Sequence, residues 1–331
     1  MTIIYQEMDG DLNHLANRMV AVIGYGALGQ PAALNLRDSG VNTLVGGNAD
    51  EQAAAQLDGF NASGIADAVR NSNIIMVMLP DESMTPVYMS AISPNLKRHD
   101  TLIFSSAYNL AFGYIEAPPF VDVGLIAPRT VGGILPVRYA SDNRPFRSFV
   151  AVGQDASRQA WDRVLSLALA LGALRGGAME ISLEQEAEIS LFIQQAIQPA
   201  LYHMLFTAAS LLIDRGYPPE AVFTDLYLSG RLNEYMRQAA QSGLMEALNK
   251  SSMTGQYGTL TRLERYNDLK LERIMEKMLE EIHEKDFAQE WSKEYADGFP
   301  RLSKLLKYHR GHELWEFEQQ TIEMQPPEDQ E

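Results

Sequence analysis

Apolar residues in the first half of the chain fall in short runs separated by glycine, proline and acidic residues. Val20–Ile23, Val41–Val45, Asn73–Pro80, Thr101–Phe104, Val121–Ile126 and Phe149–Val152 read as strands buried on both faces. Helical spacing lies between several of them, over Ala27–Arg37, Glu51–Leu57 and Ser157–Leu171. This alternation predicts an α/β domain with a doubly wound parallel sheet, whose ligands bind at the carboxyl ends of the strands. The candidate cleft residues are then Leu79 to Asp81, Ser105 to Asn109 and Pro128 to Val131.

From about Ile181 the pattern changes to long helices. Glu184–Ile213 is nearly uninterrupted, and Pro219–Gln241 is broken at Gly230. Leu271, Ile274, Met275, Met278, Leu279 and Ile282 form a stripe expected to be core. His203, inside an apolar run, is likewise expected to be a core residue. The predicted organisation is a Rossmann domain over 1–181, an all-helical domain over 182–324 and a disordered tail over 325–331.

One stretch carries chemistry. Gly24-Tyr25-Gly26-Ala27-Leu28-Gly29 places G-x-G-x-x-G between the first strand and its helix. The first glycine permits the tight turn, and the second lets backbone approach a pyrophosphate. The third lets helix pack on strand, and the helix N-terminus supplies N–H donors to the phosphates. The loop after the second strand offers Asn48, Asp50 and Glu51 and no basic residue. An acidic group there accepts from a free ribose 2′-OH, so NADH is favoured slightly over NADPH. Leu79, Pro80, Asp81 and Asn109 complete the candidate cofactor contacts.

Composition narrows the partners. The net charge of −16 argues against nucleic acid, and the absence of cysteine removes disulfides and thiolate chemistry. No uninterrupted apolar run reaches about 18 residues, and the first residues lack the features of a signal peptide, so no membrane span and a cytoplasmic location are expected. A small molecule is the expected partner.

In order along the chain, Gly24-Tyr-Gly26, Ala33–Gly40, Leu79-Pro-Asp-Glu82, Tyr108-Asn109, Phe112-Gly113, Ala127-Pro128, Gln154–Ser157, Tyr257-Gly258 and Phe287–Trp291 resemble ketol-acid reductoisomerase in its short bacterial form. The resemblance implies a helical, knotted second domain that pairs with another subunit, giving a homodimer. It also implies two magnesium ions held by carboxylate pairs at i and i+4. At the positions of those pairs this chain carries Ser190 with Gln194, and Thr224 with Leu228. The family's His-Gly reads Ser106-Ala107, and its Lys-Gly-Pro-Gly-His reads Arg129-Thr-Val-Gly-Gly133.

With the cofactor motif kept and the metal positions changed, the expectation is a metal-independent NAD(P)H reductase acting on a small imine or, less favoured, a carbonyl compound. Ser106, Arg129, Glu188, Ser190, Gln194 and Tyr227 are its candidate catalytic residues, and no metal is expected. Two alternatives stand beside it: an authentic magnesium-dependent ketol-acid reductoisomerase, and a scaffold that only binds cofactor or catalyses nothing.

Overall fold

The computed structural model describes residues 2–130, 145–263, 265–266 and 270–324. Two compact units divide the chain, Met1–Ser190 and Leu191–Glu331.

The first unit is built on a nine-stranded sheet. Its strands are β1 (Ile4–Tyr5), β2 (Val20–Ile23), β3 (Thr43–Gly46), β4 (Asn61–Ser63), β5 (Ile74–Val77), β6 (Thr101–Phe104), β7 (Asp122–Pro128), β8 (Ser148–Gln154) and β9 (Ala178–Glu180). They lie in the order β1-β9-β8-β7-β6-β5-β2-β3-β4. From β7 to β4 all pairings are parallel, with Val20 opposite both Thr43 and Ile74. The sheet is not wholly parallel as expected, because β8 runs antiparallel to β7 and β1 antiparallel to β9.

Alternate residues of each strand enter different cores. Val20, Val22, Ile74, Met76 and Ile103 face one side, where helices α1 (Gly29–Asp38), α2 (Ala49–Leu57) and α6 (Ala160–Leu171) pack. Ala21, Ile23, Ile75, Val77, Leu102 and Phe104 face the other, against α3 (Ile65–Arg70), α4 (Asp81–Val87) and α5 (Tyr108–Ala111). Both faces being covered explains why the strands read as continuous apolar runs.

Helix α7 (Leu183–Phe192) begins in this first unit. Leu183 and Ala187 pack into the second of its cores, which carries the unit past residue 181. The helical unit has a small core of Ala209, Val222, Phe223 and Leu314, with Phe206, Leu212 and Trp315 against it. Much of its apolar surface stays exposed in the single chain. Of the stripe expected to be core only Ile282 is buried, while Leu271, Ile274 and Leu279 are exposed. His203 is exposed too. Leu183–Asp214 is one helical stretch long and apolar enough to cross a membrane, by length and composition alone. The segment expected to be a disordered tail, 325–331, lies outside the described residues, as do 131–133 of the candidate cleft and substrate loop.

Candidate functional site

The glycine turn has the division of labour its motif implies. Gly24 has φ +89°, a left-handed conformation that favours glycine. A Cβ on Gly29 would stand 2.0 Å from the Gly24 carbonyl oxygen, so α1 starts in direct contact with the end of β2. A Cβ on Gly26 would meet nothing within 4 Å, which leaves its face open to an incoming phosphate. Ala27 and Leu28 continue the turn into α1, where Gln30 N–H closes on Gly26 O at 3.0 Å. Tyr25 contributes backbone here. Its ring is buried against Phe60 and its hydroxyl donates to Asp58 at 2.8 Å.

Glu51, rather than Asp50, is turned toward this loop. Tyr25 N–H donates to Glu51 Oε1 and Asn48 N–H donates to Glu51 Oε2, both at 2.9 Å. Asn48 accepts from Glu51 N–H in return, forming a capping box that starts α2. Asp50 is exposed in the first turn of α2. The two acidic residues are adjacent in sequence, and only the helix register tells which one faces the turn.

A second cluster gathers at the carboxyl ends of β5, β6 and β7. Pro80 precedes α4, and Asp81 is its first residue. Ser106 Oγ–H donates to Asp81 Oδ2 at 3.2 Å, and Asn109 Nδ2 donates to the Asp81 carbonyl oxygen at 3.0 Å. Leu79 packs beside them in the core under α4. Burial pushes the Asp81 carboxyl up to about 6, with the Ser106 bond opposing and the charge of Glu186 reinforcing the shift. Tyr108 is buried with its hydroxyl unpartnered among the described residues, and burial raises its phenol.

Glu186 joins this cluster from α7. Its side chain is 3% exposed. Ala107 N–H donates to Oε2 at 2.9 Å, while Ser190 Oγ–H and Arg129 Nη2 donate to Oε1 at 2.9 and 2.5 Å. Arg129 Nη1 also donates to Ser190 Oγ at 2.9 Å, closing a ring of three side chains. Phe149 lies 4.7 Å beneath the guanidinium. The i and i+4 spacing of Glu186 and Ser190 was a signal for their contact. The link to Arg129, 57 residues away, had none.

The remaining candidates lie elsewhere. Glu188 is partly exposed on α7, and Gln194 is exposed in the helical unit. Tyr227, in the same unit, donates to Glu318, and burial raises its hydroxyl. It lines an apolar cavity of about 210 Å³ with Phe206, Phe223 and Trp315.

Fold and glycine turn together define a Rossmann-type dinucleotide-binding protein. Comparison with known proteins narrows this. Residues 14–177 match the acetohydroxy acid isomeroreductase NADPH-binding domain, and residues 183–326 match the ketol-acid reductoisomerase C-terminal domain. A ketol-acid reductoisomerase (NADP(+)) from Pyrobaculum arsenaticum is 34% identical over 319 residues, 95% of this chain and 96% of that one. Another from Methanothermobacter thermautotrophicus is 34% identical over 316 residues, 95% of each chain. The structure of an NADH-preferring ketol-acid reductoisomerase from an uncultured archaean superposes with a TM-score of 0.90 at 26% identity, covering 98% of this chain and 99% of that one.

The chain belongs to the ketol-acid reductoisomerase family, and is accordingly an NAD(P)H-dependent oxidoreductase. This relationship overturns the expectation of an imine reductase: relatives matching 95% of the chain are named for a reaction of ketol acids. Changes at a few positions of the site were too local a signal to define a new substrate class.

Proposed function

We propose that this protein is a ketol-acid reductoisomerase that prefers NADH. The carrying observation is full-length relationship to that family, joined to a polar cluster at the strand ends where a Rossmann fold places its reacting groups. In this reading a bound nicotinamide cofactor would supply hydride to the carbonyl carbon of the ketol acid after its alkyl shift, and a proton would go to the carbonyl oxygen. Gly24 to Gly29 hold the pyrophosphate, and Asp81, Ser106 and Asn109 line the place of transfer. Glu51 supports the NADH preference. Its carboxylate faces the glycine turn, where it would accept from a ribose hydroxyl and repel a 2′-phosphate.

We propose further that this chain departs from its family at the magnesium positions. Hard divalent ions need oxygen ligands, with anionic ones usually among them. Ser190 spends its hydroxyl on Glu186 and Arg129, and Leu228 has no donor atom. Ile193–Ile197 and Thr224–Leu228 are wide π-helical turns, in which residues four apart no longer stack as in an α-helix. Among the described residues no group of three or more His, Asp or Glu is placed to hold a metal ion. This donor set does not fit a pair of divalent ions, and no step is assigned to one.

A second copy of the chain is the partner we propose for the helical unit. Ile193, Ile197, Leu201, Met204 and Leu211 are exposed along one long helical stretch, and a homodimer would cover them.

The test is oxidation of NADH and NADPH by the purified protein with acetolactate, in EDTA and in magnesium. One cofactor consumed per ketol acid, with kcat/KM for NADH about tenfold or more above NADPH, is the expected result. Glu51→Gln should narrow that ratio. No oxidation in either condition would overturn the ketol-acid assignment, equal use of both cofactors would overturn the NADH preference, and turnover only in magnesium would overturn the departure at the metal positions.

A further inference from the structure

The Arg129 guanidinium has five N–H donors in one plane. Nε donates to the Ala127 carbonyl oxygen at 3.3 Å, Nη1 to Ser190 and Nη2 to Glu186. Two N–H bonds on the terminal nitrogens remain without a partner among the described residues. The side chain is 30% exposed, whereas Glu186 beneath it is 3% exposed. The cation is thus held by Glu186, Ser190 and Phe149, and keeps an accessible edge.

Charge decides what that edge receives. Glu186 already takes three hydrogen bonds, so the guanidinium and this carboxylate form a satisfied, neutral pair. Ser190 keeps the pair neutral. A carboxylate at that position would put a second anion on the same guanidinium and leave the group net negative. With serine there, Glu186 is the single carboxylate among the guanidinium's hydrogen-bond partners in the described residues. Asp81 lies close enough for Glu186 to raise its proton affinity, so an anion entering the cluster would be repelled unless a cation met it.

We propose that Arg129 receives the carboxylate of the acid substrate through its open Nη N–H bonds, with Glu186 and Ser190 as positioning residues that fix the guanidinium plane. A planar guanidinium matches a carboxylate in a way that an ammonium does not. The inference rests on the ketol-acid reading for the kind of acid bound. It concerns only where the acid's charge is held.

The experiment is calorimetric titration of the NADH-loaded protein with 2-hydroxyisobutyrate and with its uncharged amide, in EDTA. Wild type should bind the acid at least about tenfold more tightly than the amide. Arg129→Gln should abolish that preference and leave NADH affinity unchanged, and Arg129→Lys should retain only part of it. Equal binding of acid and amide by wild type would overturn the proposal without recourse to any variant, as would a full preference in Arg129→Gln. Acetolactate turnover, measured alongside, separates the two assignments. Acid preference without turnover overturns the ketol-acid reading and leaves Arg129 as a carboxylate site. Turnover without acid preference does the reverse.

Discussion

Arg163 donates from Nη1 to Asp122 Oδ2 at 2.7 Å where both side chains are buried, 4% and 0% exposed. The same guanidinium nitrogen reaches Thr101 Oγ1 and the His99 carbonyl oxygen, and Asp122 also accepts from Ser157 N–H and Oγ–H. The pair ties α6 to the starts of β6 and β7. Removing one member strands a buried charge, so Asp122→Ala should cost about 3–5 kcal/mol. Replacing both by apolar residues of similar volume should cost much less. Urea unfolding of the two variants checks this, and equal losses in both would refute it.

Two glycines in one motif should respond in opposite ways. Gly26→Val adds a side chain into open space, so the protein should fold with little change in Tm while affinity for NADH drops by about tenfold or more. Gly29→Ala drives a methyl group into the Gly24 carbonyl and should lower Tm by several degrees. Thermal melts paired with cofactor titration read both effects. Normal NADH binding by folded Gly26→Val would place the phosphates elsewhere.

Asp81 gives stability a pH dependence of definite sign. Its carboxyl is raised from 3.8 to about 6 in the folded protein, chiefly by burial. The native state therefore holds the proton more tightly than the unfolded chain, and this group's contribution is fully present below about pH 4 and lost as pH rises through about 6. Asp81→Asn cannot titrate. Relative to wild type it should gain stability between pH 4 and pH 7, by at most about 3 kcal/mol. A difference between the two proteins that does not change with pH would contradict this.

The nucleotide-binding half was legible because its signals are local. The runs at Val20–Ile23 and Thr101–Phe104 are the strands found, bounded by residues that cannot continue them. Strand direction was not legible: β8 is apolar like its neighbours, and nothing in its composition records that it runs antiparallel to β7. The helix expected from Ser157 starts at Ala160, because Ser157 is drawn onto Asp122 and Arg158 adopts φ +62°. In the helical half the stripe through Leu271 and Ile274 was sound as a periodicity. Its burial depends on what covers it, which one chain does not supply. At the site, Arg129 and Ser190 were visible singly as departures from a family pattern, while the contact that joins them through Glu186 was not.

Glu51 is at once the cap partner of Asn48 and the acceptor for the glycine turn. Gly47 makes room for it, since a Cβ there would lie 2.7 Å from both its Cβ and its Oε2. In the proposed reading, coenzyme selectivity and secondary-structure nucleation are pleiotropic functions of a single carboxylate. In that reading a substitution at Glu51 that admits a phosphorylated coenzyme also removes the cap of α2, so the two traits are coupled.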